Sequence, residues 1–156
     1  MTADSASADP RIRTATAADL DQVLAMDRGA RSLLTDQRGG PEWLTEHPSL
    51  SEIDPHEVVA HAVVAEYAGA VVGFLTYRFE TRPGRGRICC IDRVFVEEAA
   101  REHGCGDGLL ALATEIARGS GCTAIEGNAL PGDRDTKNLY ERARMKARSI
   151  VTATDL

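Results

Sequence analysis

The sequence predicts an α+β fold, a mixed and mostly antiparallel central sheet flanked by helices on both faces. Three observations predict it. A near-continuous apolar run ending in Val94-Phe95-Val96 enters a turn carrying Gly104, Gly106 and Gly108 and opens an amphipathic helix. Two strand-like runs, residues 61–67 and 70–77, flank the two-residue turn Ala68-Gly69 and read as a β-hairpin. The remaining segments fall in the order β-α-(α)-β-β-β-α-β-α-β, which mixes helices and strands without a repeated parallel βαβ unit.

Taken in order, residues 11–16 alternate and are rich in β-branched side chains, so they open as a strand. Residues 17–28 place Leu20, Val23, Leu24 and Asp27 at helical spacing. Residues 28–55, broken by Gly39-Gly40-Pro41, Pro48 and Pro55 and anchored by Trp43 and Leu44, are expected to be irregular or to hold short helices. The turn Pro83-Gly84-Arg85-Gly86 precedes a central strand over residues 87–96, whose polar exceptions are Asp92 and Arg93. In the following helix Leu109, Leu112, Ala113, Ile116 and Ala117 share a face, and Gly119 and Gly121 end it. A short strand over residues 124–128, a helix over residues 135–143 and a last β-branched strand over residues 145–154 complete the reading.

A chain of 156 residues is one domain with room for a sizeable core, expected over residues 11–156. Residues 1–10 are small and acidic and read as a flexible tail, not a signal peptide. With 43% hydrophobic and 27% charged residues and no apolar run of membrane length, a cytoplasmic protein is expected, with no membrane partner. A net charge of −6 without a basic cluster argues against nucleic acid. Cys89, Cys90, Cys105 and Cys122 lack metal-ligand spacing and read as reduced thiols, and the four histidines form no constellation, so no metal is expected.

The glycine turn is where chemistry concentrates. Glycines allow close backbone approach, and the N–H groups and dipole of a helix's first turn favour an anion such as a pyrophosphate. By itself the turn is equally a plain strand-to-helix connector. It is not a Walker loop, since no Gly-Lys-Ser/Thr closes it, and not the dinucleotide fingerprint.

Arg101-x-x-Gly104-x-Gly106 after a Val94-x-Val96 strand end resembles the acetyl-CoA signature of the GCN5-related N-acetyltransferases (GNAT), and the segment order is similar to that family from about Arg11 onward. The resemblance implies that the amides of Arg101, Glu102, His103, Gly104, Cys105, Gly106, Asp107 and Gly108 cradle the CoA pyrophosphate. Val94, Phe95 and Val96 would offer main-chain groups to the pantetheine arm. Tyr140, in Asn138-Leu139-Tyr140-Glu141-Arg142, looks like the family's tyrosine near the CoA sulfur and would act as general acid, with Asn138 on the cofactor. A core role for Tyr140 and a surface role for Asn138 stay open.

The chain departs from the family pattern at three places. Asp107 stands where a neutral or basic residue is usual and would repel a phosphate it faced. Asp133 replaces an asparagine seven residues before the tyrosine, and Ala143-Arg144-Met145 replaces Leu-Gly-Phe, so a different helix end is expected.

For the base that takes a proton from the acceptor, Asp92 comes first, because a carboxylate in an apolar strand is costly unless used or paired. An ion pair with Arg93 or another arginine is the alternative. Glu126 is the second candidate and Glu80 the third. No nucleophile elbow is present, so direct transfer from acetyl-CoA to the primary amine of a small molecule, peptide or protein is expected. The alternatives are a non-catalytic CoA-binding or ligand-sensing module on the same fold and a longer acyl donor. A homodimer through Ser149-Ile150-Val151-Thr152 is a further expectation.

Overall fold

The structure, a computed structural model, describes residues 9–156. The tail expected over residues 1–10 therefore lies almost wholly outside the described residues. Five strands, β1 (Arg11–Thr14), β2 (Ala62–Tyr67), β3 (Ala70–Arg82), β4 (Gly86–Val96) and β5 (Ala124–Gly127), form one sheet in that order. The first three pairings are antiparallel and the last, β4 with β5, is parallel. The hairpin joining β2 and β3 turns at Ala68 (φ 51) and Gly69 (φ 80), the two positive angles that match the twist of a hairpin.

Side chains alternate across β2: Val63 and Ala65 enter one core cluster and Val64 the other. On the first face lies α4 (Cys105–Gly119) with α5 (Arg134–Arg142) beside it. On the second lie α1 (Leu20–Leu33), α2 (Gly40–Glu46) and α3 (Pro55–Ala60), with Val23, Met26, Leu50 and Val58 packed against Val64 and Phe74. Helices on both faces of a mostly antiparallel sheet are the expected architecture. No helix among the described residues is long and apolar enough to cross a membrane.

The elements differ from expectation in three ways. α1 continues to Leu33, beyond the expected end near Arg28, since nothing in Arg28-Gly29-Ala30-Arg31 stops a helix and Gly29 has open space around it. The buried stripe of α4 is Cys105, Leu109, Leu110, Ala113 and Ala117, with Leu112 and Ile116 at its margin, and Leu110 lies beside Arg142 and Ala143 at the end of α5. The expected last strand over residues 145–154 does not form. Ile150 and Val151 are 87% and 92% exposed, and β-branched residues without a neighbouring strand have nothing to pair with.

Both departures around α5 have a structural answer. The Asp133 carboxylate accepts the Thr136 N–H at 3.0 Å and the Thr136 hydroxyl at 2.6 Å, so it caps the helix and suits its dipole. At the other end Arg144 takes φ 60, Met145 N–H bonds the Tyr140 carbonyl and Arg144 N–H the Glu141 carbonyl. That is a left-handed helix stop with an arginine in the position glycine usually holds. The different ending expected from the missing glycine is thus not seen.

Candidate active site

β4 and β5 run together only over Ile88–Ile91 and Ala124–Gly127. Beyond that point β4 stays on β3 through Val96 while the chain after Gly127 turns away, and the strands part into a wedge. A cleft of about 800 Å³ opens there, floored by Asp92, Arg93, Val94, Phe95 and Val96. The bond from Glu97 N–H to the Val72 carbonyl fixes the phase of the β3–β4 ladder. Alternation in an antiparallel pair then turns the main-chain groups of Val94 and Val96 away from β3, into the wedge.

One wall is the glycine turn. Glu102 (φ 68) and Gly104 (φ 80) bend the chain so that α4 begins at Cys105, and its first helical bond runs from Gly108 N–H to the Gly104 carbonyl at 2.9 Å. The N–H groups of Cys105, Gly106 and Asp107 precede that bond and have no partner in the helix. Gly104 has open space around it, and a Cβ at Gly106 would meet Leu139 only at an ordinary 3.5 Å. Arg101, Glu102, Gly104, Cys105, Gly106 and Asp107 all line the cleft.

Two expected members of the cradle do not. Gly108 is glycine for packing: a Cβ there would lie 2.6 Å from Ile12 Cγ1 of β1. The His103 ring leaves the cleft and stacks on Tyr67 at 4.5 Å. The Asp107 carboxylate accepts from Arg142 Nε at 2.9 Å, so an arginine meets the charge expected to repel a phosphate. Arg101 donates from Nε to the Val96 carbonyl at 3.0 Å and reaches Asp135 at 3.3 Å, spanning the mouth between β4 and α5.

At the apex stands Tyr140. Its ring is core and its hydroxyl, 3.4 Å from the Asn128 carbonyl, lies against Gly127, where a Cβ would collide with it. Burial pushes the phenol above its ordinary value, with Asp133 adding to the effect, so it keeps its proton. Asn138, on the same helix, also lines the cleft.

Asp92 occupies a β-bulge. Thr76 pairs with Arg93 and Tyr77 with Ile91, leaving Asp92 the extra residue on β4. The slip puts Asp92 and Arg93 together on the cleft floor, where strict alternation would have sent them to opposite faces. Burial pushes the Asp92 carboxyl above the usual carboxylate range, against the pull of Arg78, whose Nε is 3.4 Å from it. Arg93 is not its partner: that guanidinium is buried against Asp27 at 3.4 Å and reaches the Pro48 carbonyl.

Glu126, the second expected base, is set apart. It does not line the cleft, and Arg85 (2.5 Å) and Arg82 (2.6 Å) hold its carboxyl below the usual range. Glu80 is likewise held low by Arg82 and Arg78. Sequence reading gave no role to Gly127, Arg78 or Asp27; a glycine closing a short strand and an aspartate on the apolar stripe of α1 were the available signals.

The arrangement offers an anion cradle, an extended slot and a poised carboxylate along one wedge. Residues 28–144 match the acetyltransferase (GNAT) family. The fold is similar to that of the aminoglycoside N-acetyltransferase AAC(6')-Iy in complex with CoA, at TM-score 0.72 and 14% identity over 97% of each chain. It is similar to a ribosomal-protein-alanine N-acetyltransferase from Brucella melitensis biovar Abortus 2308, at 0.69 and 16%, covering 94% of this chain and 98% of that one. A transcriptional regulator from Bacillus halodurans C-125 gives 0.63 and 24%, over 94% and 99%. Such identities speak for a shared fold. No curated protein matches the sequence.

Proposed function

The chain belongs to the GNAT family of acetyltransferases, and we propose that it moves an acetyl group from acetyl-CoA directly to a primary amine of a small molecule, peptide or protein. Residues 11–156 would form the single catalytic domain. The observation that carries this reading is the wedge between β4 and β5, with a glycine cradle at one end and a bulged, buried carboxylate at the other. The residues present fit the cosubstrate. Gly104 and Gly106 leave room for a pyrophosphate at the N-terminus of α4, and Val94 has main-chain groups that no side chain takes among the described residues. The CoA complex of a protein with the same fold supports this choice, and the amine acceptors named for two neighbours support the acceptor class.

When bound, acetyl-CoA supplies an activated thioester. Asp92 takes the proton that frees the amine's lone pair, and burial suits it to that task by strengthening its hold on a proton. The Val94 N–H, turned into the cleft, would donate to the thioester's carbonyl oxygen. Tyr140, protonated through its burial, would give a hydrogen bond to the thioester sulfur. Cys105 stays out of the chemistry: it is 1% exposed, and burial pushes its thiol up, away from the reactive thiolate.

Calorimetric titration of acetyl-CoA into wild type and Gly106→Glu tests the reading. The added Cβ makes only ordinary contacts, so the variant should fold while its carboxylate enters the cradle. Binding by wild type alone, followed by CoA release in the presence of an amine, is expected. A folded wild type that does not bind overturns it.

A further inference from the structure

Arg78 belongs to two carboxylates. It sits on β3 opposite Cys90, two residues from Asp92 along β4. Its Nε lies 3.4 Å from Asp92 Oδ1 and its Nη2 lies 3.2 Å from Glu80 Oε1. Glu80 has a second cation, Arg82, at 2.8 Å, so it does not depend on Arg78. Asp92 does. Among the described residues no other cation reaches it at ion-pair distance, since Arg93 is turned to Asp27 and the Pro48 carbonyl.

We propose that Arg78 is the positioning residue of the acceptor site: it keeps Asp92 ionised and aimed into the cleft, then passes to Glu80 as Asp92 takes up the acceptor's proton. The inference rests on Asp92 being the base. In the step, an N–H bond of the acceptor ammonium breaks, its electron pair stays on nitrogen, and the proton forms an O–H bond on Asp92. Arg78 remains protonated throughout. Asp92 becomes neutral and loses its attraction for the guanidinium, whereas Glu80 keeps its charge and its place 3.2 Å away.

The surroundings favour a movable cation over a fixed one. Arg78 is half exposed, so its guanidinium has room to shift, while Arg93 is buried. The other charges bearing on Asp92 are Arg93 on its own strand, His47 after α2 and Glu80 on β3. Asp27 of α1 offsets Arg93, and Glu126 of β5 is taken by Arg82 and Arg85. Arg78, the one cation at ion-pair distance from Asp92 among the described residues, opposes the effect of burial.

The test is to titrate the Asp92 side-chain carboxyl by carbon NMR in ligand-free wild type, Arg78→Gln, Arg78→Lys and Glu80→Gln. The midpoint should rise in Arg78→Gln, return toward wild type in Arg78→Lys and fall in Glu80→Gln, which removes Glu80's own repulsion and frees Arg78 for Asp92. The acid limb of kcat/KM should follow, with Arg78→Gln about fivefold down at pH 6 and recovering at higher pH. In the double variant Arg78→Gln/Glu80→Gln the fall caused by Glu80→Gln should shrink, since no arginine is left to release, whereas two fixed and independent charges would give additive shifts. Midpoints that stay put, that move together in Arg78→Gln and Glu80→Gln, or that add in the double variant overturn the proposal. Should Arg78→Gln misfold, Arg78→Met, which keeps the apolar stem and removes the charge, supplies the same neutral comparison alone and with Glu80→Gln. Shifted midpoints with an unmoved acid limb would instead remove Asp92 as the base and leave Arg78's hold on it intact.

Discussion

At the glycine-turn end of the cleft the chain works with main-chain atoms, whereas at the Asp92 end it works with side chains brought from α1, β3 and β4. The turn needs a helix N-terminus and missing Cβ atoms, so most of its side chains are free for other duties: His103 on Tyr67, Asp107 on Arg142, Arg101 on Val96 and Asp135. At the other end each side chain is committed to a neighbour. Asp27, for one, takes both Arg93 and the Leu50 N–H. One end should therefore tolerate side-chain changes that add no bulk, and the other should not.

The largest effect is expected from Asp92→Asn. The swap keeps shape but removes the proposed base, so kcat at neutral pH should fall about 100-fold, the usual contribution of a positioned base. Calorimetry should find the affinity for acetyl-CoA unchanged, because the cradle lies at the far end of the floor. If both quantities fall together, the two ends are not separate devices.

The same contrast explains what the amino-acid sequence made legible. The strand, turn and helix around Gly104 are contiguous, and local rules place them; the hairpin at Ala68-Gly69 and the body of α5 are legible for the same reason, whereas the stop at Arg144 is not. The bulge is not, because a register slip at Asp92 arises only when β4 is laid against β3. Period-two alternation separates Asp92 from Arg93, and nothing local marks Arg78, fourteen residues earlier by its numbering, as the partner. Glu126 looked similar to Asp92 in sequence. What divides them is surroundings: one carboxylate on the cleft floor with a single shared arginine, the other clamped between two. Contiguity also misleads, since Gly108 belongs to the turn in sequence and to the contact with Ile12 in space.

Gly108→Ala divides the glycines of the turn by role. A methyl group 2.6 Å from Ile12 Cγ1 forces α4 off β1 or Ile12 out of its rotamer, and overpacking of this kind costs about 2 kcal/mol. Urea unfolding should show that loss, while the folded variant binds acetyl-CoA like wild type. Weakened binding with unchanged stability would return Gly108 to the cradle.

The smallest effect is expected at Arg144, where a side chain occupies a left-handed position at φ 60. A non-glycine residue there carries roughly 1 kcal/mol of steric cost from its Cβ against the neighbouring carbonyl. The helix stop nevertheless forms, because Met145 packs at the edge of the main core and its N–H satisfies the Tyr140 carbonyl. Tertiary packing thus overrides a local preference, and Arg144→Gly should relieve the strain without altering the turn. The gain should be about 1 kcal/mol, partly offset by glycine's greater freedom in the unfolded chain, and should appear as a Tm a few degrees higher. Because the residue carrying this strain lies four positions after Tyr140, the substitution also asks whether the phenol is held by its own helix end. An unchanged kcat would place the hold in the contact with Gly127 and the surrounding core; a changed kcat would place it in the left-handed stop.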